Sequence, residues 1–69
     1  MIRTPVVSSN IRSVGYAPGE KKLEIEFHDG SIHHYHDVSS EEHHSLMTAP
    51  SVGKHFHAHI KHKHPHSKA

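Results

Sequence analysis

The chain has 69 residues, of which twelve are histidine and none is cysteine or tryptophan. A chain of this length folds as one small domain that buries about 60% of its unfolded surface, and without cysteine it has no disulfide to support that fold. No apolar stretch is long enough for a signal peptide or a membrane span. We therefore expect a soluble cytoplasmic protein that does not engage a membrane.

Charge is distributed unevenly along the chain, although the formal net charge is only +1. All seven acidic residues lie between Glu20 and Glu42, whereas residues 51–69 contain four lysines, six histidines and no acid. An unperturbed imidazole has a pKa of about 6.5, so this last segment gains positive charge as the pH falls. The C-terminal third is therefore predicted to be a basic patch.

A β-hairpin is the clearest structural signal in the chain. Apolar and polar residues alternate strictly over Lys22–His28, which is typical of a half-buried strand. The dipeptide Asp29-Gly30 is preferred in two-residue hairpin turns. Residues 31–36 should then form the antiparallel partner, with Ile32, His34 and His36 on one face and His33 and Tyr35 on the other. An earlier, less regular strand is predicted over Ile11–Tyr16, followed by a turn over residues 17–20.

Two short helices are predicted after the hairpin. Serine followed by Glu41 and Glu42 favours a helix start, because a hydroxyl caps free amides and acids favour the positive end of the helix dipole. This helix should run to about Ala49 and stop at Pro50, and Ser51 can cap the next one. Val52, Phe56 and Ile60 recur at i, i+4 and i+8 in that second helix, as an apolar stripe.

These elements predict an α+β fold, with a three-stranded antiparallel β-meander followed by two short α-helices packed on one face. The meander should bury the apolar side chains of its strands under the helical stripe. The expected core residues are Leu23, Ile25, Phe27, Ile32, Leu46, Phe56 and Ile60.

Four segments together resemble the KTSC domain family, which is named for its occurrence at the C-terminus of some lysyl-tRNA synthetases. The segments are Val7–Tyr16, Leu23–Phe27, Ile32–Val38 and Ala49–Phe56, with Ile60 beyond. The resemblance covers roughly residues 6–66, which we expect to form a single domain between flexible ends at residues 1–5 and 67–69. It implies a compact binding module, found as a small free-standing bacterial or phage protein, with a lean toward RNA.

The histidines depart from this family pattern. At five positions where the family is expected to have tyrosine the chain has histidine, and His57 replaces an expected asparagine. Much of the histidine excess is therefore interpreted as replacement of one flat ring by another on an existing scaffold. The five positions are His33, His43, His55, His64 and His66.

Binding of nucleic acid or of a nucleotide-like anion is the leading functional hypothesis. Basic residues interleaved with flat rings suit single-stranded RNA, single-stranded DNA or a nucleotide. Lysine and arginine would neutralise phosphate, rings would stack on bases and serines would donate hydrogen bonds. The candidate ligand-binding residues are Ser8, Ser9, Arg12, Tyr35, Lys54, His55 and His57.

Metal binding by histidine is a third-ranked alternative. His55, His59 and His62 would share one face of a continuous helix, and neutral imidazoles at that spacing can chelate zinc, copper or nickel. No set of four ligands stands out among twelve histidines, however, so we expect adventitious binding at these three residues, no structural metal and no cofactor.

The second-ranked alternative is a protein-interaction or self-association module. If Ile11–Tyr16 is the edge of the sheet, it can pair with a second copy to give a homo-oligomer, or with a larger protein partner. Catalysis is not expected, because the chain has no strained nucleophile turn and little room for an enclosed pocket. No catalytic residue is therefore assigned.

Overall fold

The sheet has five antiparallel strands, two more than the meander predicted from sequence. The computed structural model describes residues 2–69, and the strands lie side by side in chain order. The predicted meander forms its centre, and the prediction of three strands is wrong because a short strand is added at each edge. The strands are β1 (Arg3–Pro5), β2 (Ile11–Ala17), β3 (Lys22–Phe27), β4 (Ile32–Tyr35) and β5 (His66–Lys68).

The two added strands come from the chain ends. Strand β1 pairs with β2 from Arg3↔Gly15 to Pro5↔Ser13, and β5 pairs with β4 from His33↔Lys68 to Tyr35↔His66. Residues in both of the segments expected to be flexible ends therefore belong to the sheet. Strand β2 lies between β1 and β3, so the expectation that Ile11–Tyr16 is a free edge is wrong.

The central hairpin follows the predicted alternation. Leu23 and Ile25 are fully buried and pair with Tyr35 and His33, which share their face of the sheet. Ile32 was expected in the core but pairs with Glu26 on the opposite face, where it is half-buried. This correction follows from the register, because neighbouring residues of a strand point to opposite faces.

The hairpin turn is one residue longer than the two-residue turn that Asp29-Gly30 predicted. The Phe27 amide donates to the Ser31 carbonyl at 2.9 Å and the Gly30 amide donates to the Phe27 carbonyl at 3.0 Å, which leaves three residues in the loop. Gly30 takes a φ of 90°, which glycine adopts at no steric cost. A turn followed by a left-handed residue is the usual geometry of three-residue hairpin loops.

Both helices begin at the serines that the sequence indicated. Helix α1 (Ser40–Met47) has Ser39 as its N-cap, and Ser39 and Glu42 exchange the reciprocal hydrogen bonds of a capping box. Helix α2 (Val52–His59) is capped by Ser51, whose hydroxyl accepts from the Lys54 amide at 3.4 Å. Within residues 2–69, neither helix has the length and apolar content that crossing a membrane requires.

One apolar core joins the helices to a single face of the sheet. The predicted stripe is confirmed, since Val52, Phe56 and Ile60 are all buried. The Phe56 ring meets Tyr35 and Phe27 edge-on, with centroids 5.1 and 5.9 Å apart. The buried residues are Ile11, Val14, Leu23, Ile25, Tyr35, Val38, Leu46, Val52, Phe56 and Ile60.

Candidate functional site

A groove opens between the β1–β2 loop and helix α2, beside the turn of the β3–β4 hairpin. Its volume is about 360 Å³, within the range of small-ligand sites. Three apolar side chains from three different elements, Ile11, Phe27 and Phe56, form its floor. The walls are polar and are formed by Ser9, Asn10, His28, Asp29, Gly53, His57 and Lys61.

A second depression continues this groove along the start of helix α2. It has a volume of about 490 Å³ and shares Ser9, Asn10, Gly53 and His57 with the first. It is lined in addition by Ser8, Ser51 and Lys54. We call the two depressions together the loop–helix groove.

Close contact between the β1–β2 loop and helix α2 defines the wall of this groove. A Cβ on Gly53 would lie 2.8 Å from the Ser8 hydroxyl oxygen, so any other residue here would force the Ser8 side chain or the loop to shift. From sequence Gly53 is expected only to weaken the first turn of the helix. Its effect in the structure is to let the loop pack on the helix.

The Ser8 hydroxyl shapes the loop. Its oxygen accepts from the amides of Asn10 and Ile11, each at 3.3 Å, which is the local backbone bonding that serine commonly makes. The His28 ring donates to the Ser8 carbonyl at 2.8 Å, and the His28 amide donates to the Asn10 carbonyl at 3.1 Å. These bonds fix the hairpin turn against the loop.

Four of the seven candidate ligand-binding residues come together in the groove. Ser8 and Ser9 lie on the loop, whereas Lys54 and His57 lie on helix α2. The register of β2 against β3 adds His28 and Asp29, which were not among the candidate ligand-binding residues. Lys61, Phe27 and Phe56 also line the groove. From sequence, Lys61 was one of several lysines considered for phosphate contacts, and the two phenylalanines were expected in the core.

The other three candidates lie elsewhere. The Arg12 guanidinium donates to the His28 carbonyl at 3.2 Å and does not line the groove. Tyr35 is only 3% exposed, because its ring packs against Phe56 and is covered by His66 at a centroid distance of 5.2 Å. Tyr35 therefore belongs to the core, and its ring is not accessible for stacking on a ligand.

His55 projects from a different side of helix α2. It lines a cleft of about 420 Å³ between the two helices, together with Glu41, Glu42, His59 and Lys63. Burial and the neighbouring His59 lower the pKa of His55. His55 is thus separate from the loop–helix groove.

The three histidines proposed as metal ligands are not assembled into one group. His55 and His59 are neighbours, with ring centroids 4.6 Å apart. Helix α2 ends at His59, so His62 turns away and its ring meets His57 at 5.7 Å. Over residues 2–69 no three histidine, aspartate or glutamate side chains are placed to hold one metal ion.

The charges at the groove are mixed. Lys54 and Lys61 are exposed cations on its helix side. Asp29 is an anion on its hairpin side, and hydrogen bonds from the hydroxyl and amide of Ser31 lower the pKa of this carboxyl. Those two bonds, at 2.6 and 2.9 Å, direct a carboxylate oxygen into its own turn.

Comparison with known proteins gives one consistent assignment. The family model of the KTSC domain matches residues 7–64. An uncharacterized protein of Stutzerimonas stutzeri (strain A1501) is 39% identical over 64 residues, which is 93% of this chain and 90% of that protein. The crystal structure of a KTSC domain protein from Yersinia pestis matches with a TM-score of 0.95 at 38% identity, over 99% of this chain and 96% of that one. The chain therefore belongs to the KTSC domain family.

Proposed function

We propose that this protein is a non-enzymatic binding module whose loop–helix groove takes a nucleotide or a short stretch of single-stranded nucleic acid. The observation that carries the proposal is that the half-buried Phe27 ring and two lysines, Lys54 and Lys61, line the same groove. Phosphate binding needs the cations, and base binding needs a flat apolar surface.

The floor suits a base. Phe27 is half-buried and lines the groove, so part of its ring is accessible to a ligand. Stacking of a base on an aromatic ring contributes about 1–3 kcal/mol and depends little on which base is present. A groove of about 360 Å³ matches one such unit rather than a folded helix of RNA.

The helix wall suits a phosphate. Lys54 lies in the first turn of helix α2, whose N-terminal end carries a partial positive charge. Lys61 follows the C-terminal end of the same helix and lines the groove from the other side of His57. Two lysines some two turns apart can contact successive phosphates while a base occupies the floor between them.

Binding should be measured by fluorescence anisotropy with labelled single-stranded RNA and DNA at two salt concentrations, with mononucleotides as competitors. Affinity should fall with salt, and each lost phosphate contact should reduce the slope of log K against log salt by about 0.7. Lys54→Ala and Lys61→Ala should each weaken binding. Lys63→Ala is the matched control, because it removes the same charge from a lysine that lies in the cleft between the helices.

Equal weakening by all three lysine variants would mean that general charge, and not the groove, attracts the nucleic acid. No binding at low salt would remove nucleic acid from consideration.

A second candidate function is self-association or docking on a larger protein through β1. Ile2 and Val7 flank this strand and are 91% and 100% exposed. Apolar side chains beside an unpaired strand edge favour the addition of another strand. Concentration-dependent dimerisation in sedimentation experiments, lost in Ile2→Asp, together with absent nucleic-acid binding, would favour this candidate.

A further inference from the structure

A histidine pair on helix α2 has no part in the loop–helix groove. His55 and His59 are separated by one helical turn, so both project from the same flank of the helix. Their ring centroids are 4.6 Å apart and the ring planes are inclined by 41°. Both residues line the cleft between α1 and α2, whereas His57, between them in sequence, lines the groove on another side.

The separation of these rings fits two ligands of one metal ion. Imidazole nitrogens bind zinc at about 2.0–2.1 Å, which places two of them in a tetrahedral site roughly 3.3 Å apart. Ring centroids lie behind the coordinating nitrogens and are farther apart than those nitrogens, so the centroid distance of 4.6 Å is compatible with a shared ion. The helix fixes the backbone of both residues in advance, which reduces the entropy lost on binding.

We propose that His55 and His59 form a two-histidine site for a divalent first-row transition-metal ion in the cleft between α1 and α2. Water would complete the coordination, since no third side chain is in place over residues 2–69. The cleft of about 420 Å³ has room for those waters.

Charged side chains that line the cleft affect how strongly it attracts a metal cation. Glu41 and Glu42 of α1 line the same cleft and favour a cation, and Lys63 opposes it. The Glu42 carboxylate already accepts from the Ser39 amide and from the His64 ring. The site therefore depends on the two imidazoles, with Glu41 as electrostatic support.

The pair should also differ from the other histidines of the chain in its affinity for metal ions. Selectivity should follow the usual order for nitrogen ligands, in which Cu²⁺ binds more tightly than Ni²⁺ or Zn²⁺. His62 is the informative comparison, because a helix continuing past His59 would have placed it beside this pair. In the structure its ring contacts His57 instead.

The test is an NMR titration of the ¹⁵N-labelled protein with substoichiometric Cu²⁺, paired with Zn²⁺ calorimetry. Paramagnetic broadening should begin at the amides of His55 and His59 and their neighbours. His55→Ala and His59→Ala should each weaken Zn²⁺ binding at least about tenfold, since even loss of a group that only orients a ligand costs 10- to 100-fold. His62→Ala should bind within about twofold of the parent.

Melting curves in the absence of metal verify that each variant folds. His59 is exposed, so His59→Ala tests the proposal even if His55→Ala is destabilised. Broadening spread evenly over the twelve histidines, or variants that bind Zn²⁺ as well as the parent, would leave adventitious binding only and overturn the proposal.

Discussion

Histidine serves mainly as a flat packing ring in the sheet and the first helix. His43 stacks on Tyr16 with centroids 4.5 Å apart, and His66 stacks on Tyr35. His33 meets Phe27 edge-on at 5.4 Å. These are positions at which the family resemblance led us to expect tyrosine, and each histidine ring packs against an aromatic neighbour. An imidazole, however, carries two ring nitrogens that must be satisfied or remain in water.

At His33, one ring nitrogen is neither hydrogen-bonded to another described residue nor in contact with water. Its Nδ1 atom is buried and has no hydrogen-bond partner within residues 2–69. A buried polar group without a partner costs about 1–3 kcal/mol. We expect His33→Phe to raise the free energy of unfolding by about 1 kcal/mol, which in a domain of this size raises the melting temperature by about 4–8 °C. Thermal denaturation followed by circular dichroism measures this change.

His34→Phe is the matched control for that variant. His34 is the next residue of the same strand, but it lies on the opposite face and its ring bonds Glu24 at 2.8 Å. The same substitution there removes a satisfied hydrogen bond and should lower the melting temperature. A His33→Phe protein that melts at or below the parent temperature would contradict the account of its Nδ1 atom.

At the scale of the elements, local sequence patterns predicted the strands and helix starts that depend only on residues close together in the chain. Strand β3 follows from strict alternation, and both helices begin where serine can cap them. Strands β1 and β5 have only three residues each and form because the meander presents unpaired backbone groups at its two edges. No periodicity exists in three residues, so these strands could not be predicted from the pattern of side chains.

Helix α1 is attached to its surroundings at its first turn. The His64 ring donates to the Glu42 carboxylate at 2.6 Å and lies 3.1 Å from the His36 carbonyl. Although partial burial opposes ionisation of Glu42, hydrogen bonds from the Ser39 amide and from His64 lower the pKa of this carboxyl. Tyr16 completes the attachment from the sheet, where its hydroxyl donates to the Val38 carbonyl at 2.5 Å.

Protonation of His43 should weaken the stack of its ring on Tyr16 and so destabilise the fold. Burial against the sheet, and then the neighbouring His44, lower the pKa of His43, so the folded state holds the ring neutral. The unfolded chain takes up this proton at its ordinary pKa of about 6.5. The stabilisation is therefore complete above that pH and is lost as the pH falls through the lower pKa of the folded state.

His43→Phe keeps a flat ring on Tyr16 but cannot take up the proton. We expect the free energy of unfolding of this variant to decline less steeply than that of the parent between pH 7.5 and 5.5. Urea denaturation at several pH values measures the difference. His62→Gln is the control, because His62 is exposed outside both helices. If the two variants change the pH dependence equally, the stack on Tyr16 does not control it.

At the scale of the whole molecule, the candidate site is built from parts that are distant in sequence. From the sequence, Ser8, Ser9 and Lys54 were expected to lie in one binding site, because cations interleaved with flat rings indicate nucleic-acid binding. His28 joins them only through the pairing of β2 with β3, and Gly53 only through its contact with Ser8. Long-range register and close backbone approach leave no local pattern, so these parts of the groove could not be predicted from the sequence.

Removal of the C-terminal strand tests whether β5 contributes to the stability of the sheet. Strand β5 covers the edge of β4, and beyond it the Ala69 amide donates to the Ile32 carbonyl at 2.8 Å. The His66 ring also lies over Tyr35, a buried member of the core. Deletion of residues 66–69 removes these backbone bonds and exposes Tyr35. Since each net hydrogen bond contributes about 0.5–1.5 kcal/mol, we expect the free energy of unfolding to fall by roughly 1–3 kcal/mol.

His66→Ala separates the two contributions to this loss. It removes the ring over Tyr35 but leaves the backbone able to pair with β4, so its effect on the free energy of unfolding should lie between those of the parent and the deletion. Amide hydrogen exchange gives a second measurement, because amides of β4 that pair with β5 should lose protection only in the deletion. If the shortened chain melts at the parent temperature and keeps that protection, residues 67–69 are the flexible end that the sequence suggested. The sheet would then be complete at β4, and the stability of the domain would come from the four strands and two helices that precede Pro65.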